Sequence, residues 1–355
     1  MPIPPREPPT DAVTLSAIVP NYNHGRYISR AIGALLSQER IPDQIIIVDD
    51  ASNDDSLAII EGLAARSPRI TVFSQPVNMG TNAALRKGLE IATGRYIVLA
   101  GADDWVLPGF CKLGLRMLAQ NPDAGLFCGD TVLLDGETGK IFGYRPAARP
   151  IYRAGVIGPE QCARLLTRMD NFIHTGGTIF RRDALLAAGG LDDSLGAFAD
   201  GYLTRKIALT FGFCYAPQIV ACWRVFITGV SRTTALDPIM ARKALELYPE
   251  RIASDRTFPP WYAAVFRDRW RFATARLALQ SNSPDFEFVL NMTAKSPSDR
   301  VVLNIIKTIC RGRLRRTAML GWLWLRLRPY RLVDLVVTAL VRRLEKFGIG
   351  GNAVP

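Results

Sequence analysis

For its first hundred residues the chain alternates short apolar runs with amphipathic stretches. TLSAIVPNYN (14–23) is a β-branched apolar run closed by Pro and Asn, the pattern of a strand entering a loop. In YISRAIGALLSQ (27–38) the apolar residues fall at 28, 31, 32, 35 and 36, which gathers them on one helical face. IIIVDD (45–50) is apolar at every position until its acidic end, so a strand covered on both faces is predicted. SNDDSLAIIEGLAAR (52–66) predicts a helix with acids in its first turn, ITVFSQP (70–76) a third strand, NAALRKGLEIATG (82–94) a helix closed by Gly94, and RYIVLAG (95–101) a fourth strand. Strand and helix thus alternate over about ninety residues, which predicts a doubly wound α/β sheet of mainly parallel strands.

Beyond that sheet, GLFCGDTVLLDGETGKIFGY (125–144) predicts a β-hairpin turning at DGETG. A helix over 159–168, a strand at GTIFRR (177–182), a short helix at DALLAAGG (183–190) and a helix starting at Asp200 (200–212) follow, and YAPQIVACWRVF (215–226) closes this part. After Pro238 the periodicity is helical. In sheets of this kind ligands bind at the carboxyl ends of the strands. Those ends carry Pro20 with Tyr22, Asp49 with Asp50, and Asp103 with Asp104, so acids are expected to gather on one rim.

Composition narrows the class. A chain 48% hydrophobic and 21% charged is a folded globular protein. The first twelve residues, with five prolines and no apolar periodicity, predict a loose tail rather than a signal peptide. Six cysteines without metal-ligand spacing predict buried thiols and a cytoplasmic setting. His24 and His174 lie far apart in sequence, and structural or surface roles are expected for both. From residue 236 onward 21 Lys and Arg face 10 Asp and Glu, which places 11 of the 12 net positive charges in the last third and implies an anionic surface as partner.

Adjacent carboxylates at a strand end, as in LAGADDWVLP (99–108), can cap a helix, hold a metal or do acid and base work. No G-x-G-x-x-G follows the first strand and no G-x-x-x-x-G-K-[ST] is present, which argues against a nicotinamide dehydrogenase and a P-loop. What remains is a nucleotide whose phosphates are neutralised by Mg²⁺ or Mn²⁺ held on carboxylates.

VPNYN, VDDASNDDS, NMGTNAALRKGLEIATGRYIVLAGADD and GGLDDSLGAFADGYLTRKIAL, in that order, resemble the family 2 inverting glycosyltransferases of the GT-A fold. The resemblance covers about residues 13–232. It implies a GT-A domain over 13–235; the helical, basic region over 236–355, read from periodicity and charge, lies outside it. By position, it implies that Pro20 and Tyr22 frame the nucleotide base and Asp50 bonds to it, that Asp103 and Asp104 contact the ribose and chelate Mn²⁺ or Mg²⁺, and that Asp200 deprotonates the acceptor hydroxyl. The split within the acid pair gives Asp104 first to the metal and turns Asp103 toward the ribose. The donor would be a nucleoside diphosphate sugar, UDP-linked first, and the acceptor a glycan or glycolipid. Asp130 and the Gly176–Gly177 pair fall where the family borders sugar and acceptor, or serve simple turn geometry.

Two departures stand out. Gly101 occupies the place, two before Asp103, where the family often has an acid, and Ala199 precedes Asp200 where many members have Glu. The processive Q-x-x-R-W motif is absent after Asp200, so one sugar per encounter is expected. Asp200 can equally cap the helix that follows. Arg86 and Lys87 either approach the diphosphate or face solvent, and Trp223 with Arg224 are candidates for a flap over the donor.

Residues 300–347 hold 12 Lys and Arg against 2 acids, with Trp322 and Trp324 on a basic stretch too short and interrupted to cross a bilayer. This is the pattern of an interfacial anchor on the cytoplasmic face of the inner membrane. A helical subdomain packed on the catalytic domain is the alternative, and nucleic acid is not expected. The function expected first is a non-processive inverting hexosyltransferase. A silent sugar-nucleotide-binding module, favoured by Gly101, and a nucleotidyltransferase are the alternatives.

Overall fold

The computed structural model describes residues 13–281 and 283–346. The tail expected over 1–12 lies outside the described residues. In chain order the elements are β1 (Leu15–Asn21), α1 (Gly25–Leu36), β2 (Gln44–Asp49), α2 (Ser56–Ala64), β3 (Ile70–Ser74), α3 (Thr81–Ile91), β4 (Tyr96–Leu99), β5 (Trp105–Val106), α4 (Phe110–Gln120), β6 (Leu126–Asp135), β7 (Ile141–Arg145), β8 (Gly155–Ile157), α5 (Pro159–Leu166), β9 (Thr178–Arg181), α6 (Arg182–Ala187), α7 (Ala199–Phe211) and β10 (Phe213–Val225). Helices α8 (Val230–Leu236), α9 (Pro238–Ser254), α10 (Tyr262–Gln280), α11 (Phe286–Thr293), α12 (Pro297–Ile309), α13 (Gly312–Leu327) and α14 (Leu332–Lys346) follow.

Among the described residues ten strands form one sheet, ordered β3-β2-β1-β4-β9-β6-β10-β5, with β7 on β6 and β8 on β10. β3, β2, β1 and β4 run parallel, as the alternation predicts, and β6 runs parallel to β10. β9 is antiparallel to both β4 and β6 and joins the two parallel groups. The hairpin expected beyond the sheet is thus part of it, and β6, buried almost end to end, lies near its centre. Both faces of β1 and β2 are covered, which is why these strands are apolar without alternation. α1 buries Ile28, Ala31, Ile32 and Leu35 against them, the face its spacing predicts.

One local expectation is corrected. α2 begins at Ser56, so Asp54 and Asp55 precede it instead of lying in its first turn. Asp54 accepts bonds from the Gly25 and Ser56 backbone N–H groups at 3.0 and 2.9 Å, and so serves two helix N-termini at once.

By contacts the chain divides into two compact units. Of the described residues, one holds those up to Cys162, with Asn171–Val225 and the stretch from Val336, and the other holds Ala163–Asp170 with Phe226–Leu335. The second unit has a core of its own, built on Phe272, Leu279, Leu290, Leu303 and Leu323, against which Trp322 and Trp324 pack. Trp324 also meets the Phe272 ring edge-on at 5.4 Å. The two tryptophans expected at a membrane interface are half-buried and pack against the core of a helical subdomain. The stretch from Val336 joins the sheet-bearing unit because its polar side chains bond there, as set out below. Among the described residues, no helix is long and apolar enough to cross a membrane. All six cysteines are free, and burial pushes the Cys111 thiol up to about 12.

Candidate active site

The strand order places β1 between β2 and β4, so the ends of these three strands lie side by side. The loops after β1 and β2 are tied together by their own polar groups. Asp49 accepts from the Asn21 amide at 2.8 Å and from the Ser52 hydroxyl at 2.6 Å. Ser52 accepts in turn from the Asn23 backbone N–H, whose side chain accepts from the Asn53 N–H at 2.9 Å. Asn23 and Ala51 adopt left-handed backbone, at φ of 56° and 59°, to make these turns. Pro20 is half-buried at the end of β1, and Tyr22 is 42% exposed just beyond it.

Asp50 is buried. Its Oδ1 accepts from the Gln75 amide at 2.6 Å and the Met79 N–H at 2.7 Å, and its Oδ2 accepts from the Gly80 N–H at 2.7 Å. The carboxylate thus shapes the loop between β3 and α3, and its bonds are largely made within the protein.

Asp103 and Asp104 follow β4, and the second of them precedes the short β5. Because β5 pairs antiparallel with β10, with Trp105 opposite Cys222, Asp104 is delivered beside Arg224. Its Oδ1 accepts from the Arg224 backbone N–H at 2.8 Å. A Cβ placed on Gly101 would lie 2.9 Å from Asp104 Oδ2 and 3.0 Å from Asp103 Oδ1. The two carboxylates therefore fold back over Gly101 and face one small space, which a side chain at that position would occupy. The glycine that reads as a missing acid is what lets both acids converge.

That convergence is electrostatically costly. Burial, and then the charge of Asp103, hold the Asp104 carboxyl well above the usual range, against the hydrogen bond and charge of Arg224. Burial also raises Asp103, although His24 and Arg224 oppose it. The Arg224 guanidinium lies 4.8 Å over the Tyr27 ring and donates to the Gly136 carbonyl at 3.1 Å. Arg30 stacks on Trp105 at 3.5 Å.

Asp200 stands exposed in the first turn of α7. Its Oδ1 accepts from the Gly201 N–H at 2.6 Å, and its Oδ2 accepts from the Thr175 hydroxyl at 2.9 Å. Thr175 opens a single 3₁₀ turn, Thr175–Gly177. The next residue, Gly176, borders the acid pair: a Cβ there would lie 3.6 Å from Asp104 Oδ2. Two consecutive residues of one turn thus reach Asp200 and Asp104. His174, just before the turn, stacks on Trp223 at 4.6 Å, and burial together with the charge of Arg145 lowers its pKa to about 3, so the imidazole is neutral.

Thr175, Arg224, His24 and His174 therefore lie around the expected site residues, Arg224 near the end of β10 and the others outside the strands and α-helices, each without a motif of its own. Arg86 and Lys87 are otherwise engaged, Arg86 with Asp193, and Lys87 with Glu90 and the Phe73 ring. Asp130 does not lie in an exposed turn. It is fully buried, its Oδ2 accepting from Arg149 Nε at 2.9 Å and Arg342 at 2.8 Å and its Oδ1 from the Tyr215 hydroxyl, because β6 runs through the interior of the sheet.

Among the described residues, no group of three or more His, Cys, Asp or Glu side chains could hold a metal ion. Two carboxylates facing one space fit a divalent ion that takes its other ligands from phosphate oxygens and water, as Mg²⁺ commonly does.

Residues 16–187 match the family model described as Glycosyl transferase family 2. An uncharacterized glycosyltransferase of Nostoc sp., alr2836, is 40% identical over 178 residues, which cover 48% of this chain and 52% of that protein. The chain spans about half the length of the curated relatives it matches. Among solved structures, S. aureus TarS 1–349 in complex with UDP-GlcNAc has a TM-score of 0.59 at 13% identity, covering 94% of this chain and 92% of that one. The mannosyltransferase PcManGT from Pyrobaculum calidifontis, in complex with GDP-Man and Mn²⁺, has a TM-score of 0.57 at 18% identity, covering 96% and 90%. At such identities the likeness speaks for the fold alone, which is the GT-A arrangement.

Proposed function

Since the chain belongs to glycosyl transferase family 2 through residues 16–187, we propose that it moves a single hexosyl group, with inversion, from a nucleoside diphosphate sugar to a hydroxyl of a glycan or glycolipid. The observation that carries this reading is the turn Thr175–Gly177, whose first two residues border Asp200 and Asp104. In-line transfer at an anomeric carbon needs a base on one side of the sugar and a stabilised leaving diphosphate on the other. A single turn that spans both groups sets their separation.

Asp200 is the base. It is exposed, so an acceptor can approach, and Thr175 and the Gly201 N–H fix its two oxygens and hence its direction. Asp104, with Asp103, would hold Mn²⁺ or Mg²⁺, which when bound acts as a Lewis acid on the departing diphosphate. Arg224 adds the protein's own positive charge beside them. Pro20 and Tyr22 frame the nucleotide's base, and Asp50 acts by shaping the loop at Met79 and Gly80 that flanks the nucleotide. UDP-sugars are the first donors to test, since UDP-GlcNAc is bound by TarS, with GDP-Man, bound by PcManGT, second.

The test is release of nucleoside diphosphate with and without Mn²⁺ by the wild type and Asp200→Asn, after a thermal-shift panel of UDP-, GDP-, dTDP- and CMP-linked sugars has chosen the donor. Loss of acceptor-dependent release in Asp200→Asn, with donor binding kept, supports the assignment. Equal release by both proteins defeats it.

A further inference from the structure

From Val336 onward α14 belongs to the sheet-bearing unit, and the side it turns to that unit is polar. Thr338 is fully buried, its hydroxyl accepting from the Arg149 backbone N–H at 3.0 Å and bonding to the Tyr152 hydroxyl at 2.9 Å. One turn on, Arg342 donates to Asp130 at 2.8 Å and to the Pro146 carbonyl at 2.8 Å. Glu345 then accepts both terminal nitrogens of Arg149, at 2.6 and 3.0 Å. Residues 338, 342 and 345 share one helical face.

The other face is aliphatic and open. Val336, Val337, Leu340 and Leu344 are 48, 38, 54 and 49% exposed. Their spacing makes one continuous stripe along the helix. A helix packed on a globular unit ordinarily buries its apolar stripe and wets its polar one; here the arrangement is reversed. Ion pairs hold the helix in place, which leaves its apolar side for a second apolar medium.

We propose that this outward face of α14 is the protein's docking surface for an anionic lipid bilayer. Charge complementarity favours lipid. Arg343 is exposed beside the stripe, and residues 300–347 hold 12 Lys and Arg against 2 acids. The face is a single helix of branched aliphatics without the aromatic anchors that concentrate affinity for a protein partner, and a lipid interface needs no matching shape. It also differs from the surface that the tail's composition suggests, because Trp322 and Trp324 of α13 are half-buried against a protein core. The assignment stands apart from the transfer reaction, since it uses no residue of the active site.

The full chain is tested by co-sedimentation with vesicles of phosphatidylcholine alone and of phosphatidylcholine with phosphatidylglycerol at roughly three to one. The wild type is expected to sediment with the anionic vesicles and be released by high salt. Leu340→Ser with Leu344→Ser, both exposed, should keep the wild-type melting temperature and weaken partitioning roughly tenfold or more. Arg343→Glu, a second route that leaves the apolar stripe intact, should weaken binding to the anionic vesicles in the same direction. A wild type that stays in the supernatant with both vesicle types overturns the proposal, as does a serine double variant that sediments unchanged. A concentration-dependent dimer that the serine variant dissolves also overturns it, by assigning the face to a second copy of the chain.

Discussion

Asp130→Asn isolates the buried charge cluster that fastens α14 to the sheet. The substitution keeps the side-chain volume and removes one negative charge from a group that is fully buried and bonded to Arg149, Arg342 and Tyr215. Arg149 is itself 2% exposed in its side chain. Against the pull of burial, bonds to Glu345 and Asp130 keep its guanidinium more firmly protonated than usual. Breaking a buried pair from one side costs about 3–5 kcal/mol, because the surviving charge is left without compensation. Glu345 still neutralises Arg149 and Arg342 keeps the Pro146 carbonyl, so the lower end, about 3 kcal/mol, is expected. For a domain of this size that is a fall in melting temperature of roughly 6–12 °C. Differential scanning fluorimetry gives the shift, and donor turnover well below the transition gives activity, expected within about twofold of wild type since a group outside the site leaves transition-state binding unchanged. Combining Asp130→Asn with Glu345→Gln strips Arg149 of both anions and should cost more than the two changes added, since the sites share a partner. An Asp130→Asn protein that melts like the wild type but has lost turnover would refute the reasoning and return Asp130 to the sugar, where the family resemblance puts it.

Three further predictions bear on the site. Thr175→Val should lower kcat about tenfold with donor KM unchanged, by freeing the Asp200 carboxylate, while Thr175→Ser restores the rate; a drop in both variants alike would point to the turn itself. Gly101→Ala should push the two carboxylates apart and weaken Mn²⁺ binding in the presence of nucleoside diphosphate about tenfold by calorimetry. Unchanged affinity would show that the convergence is unimportant. Because burial and Asp103 raise the Asp104 pKa, the folded protein holds a proton that the unfolded chain releases at lower pH. With metal chelated, stability should therefore fall as pH rises from the ordinary carboxylate range through the raised value. Asp104→Asn should lose that slope and melt a few degrees higher at neutral pH, and parallel melting curves for the two proteins would count against the coupling.

The parallel half of the sheet was legible because β1, β2 and β4 are covered on both faces, and such burial leaves uninterrupted apolar runs. The acids at their ends were legible because a strand that emerges from a core must stop at polar residues. β5 has two residues and β8 three, too few to imprint a period, and the pairing that brings Arg224 to Asp104 depends on β5. Gly101 shows the limit most directly. In one dimension it reads as a missing carboxylate, and only the fold of residues 101–104 turns it into the clearance that two carboxylates share. The tail is a second case. Its net charge and its aliphatic and aromatic content follow from sequence alone, but which helix buries its apolar side depends on long-range ion pairs. Asp130 and Arg342, 212 positions apart, set the orientation of α14. Local periodicity determined the elements and the residues at their ends, since it acts over a turn or a strand. Partnership among those ends was decided by contacts between residues far apart in the chain, which no local pattern records.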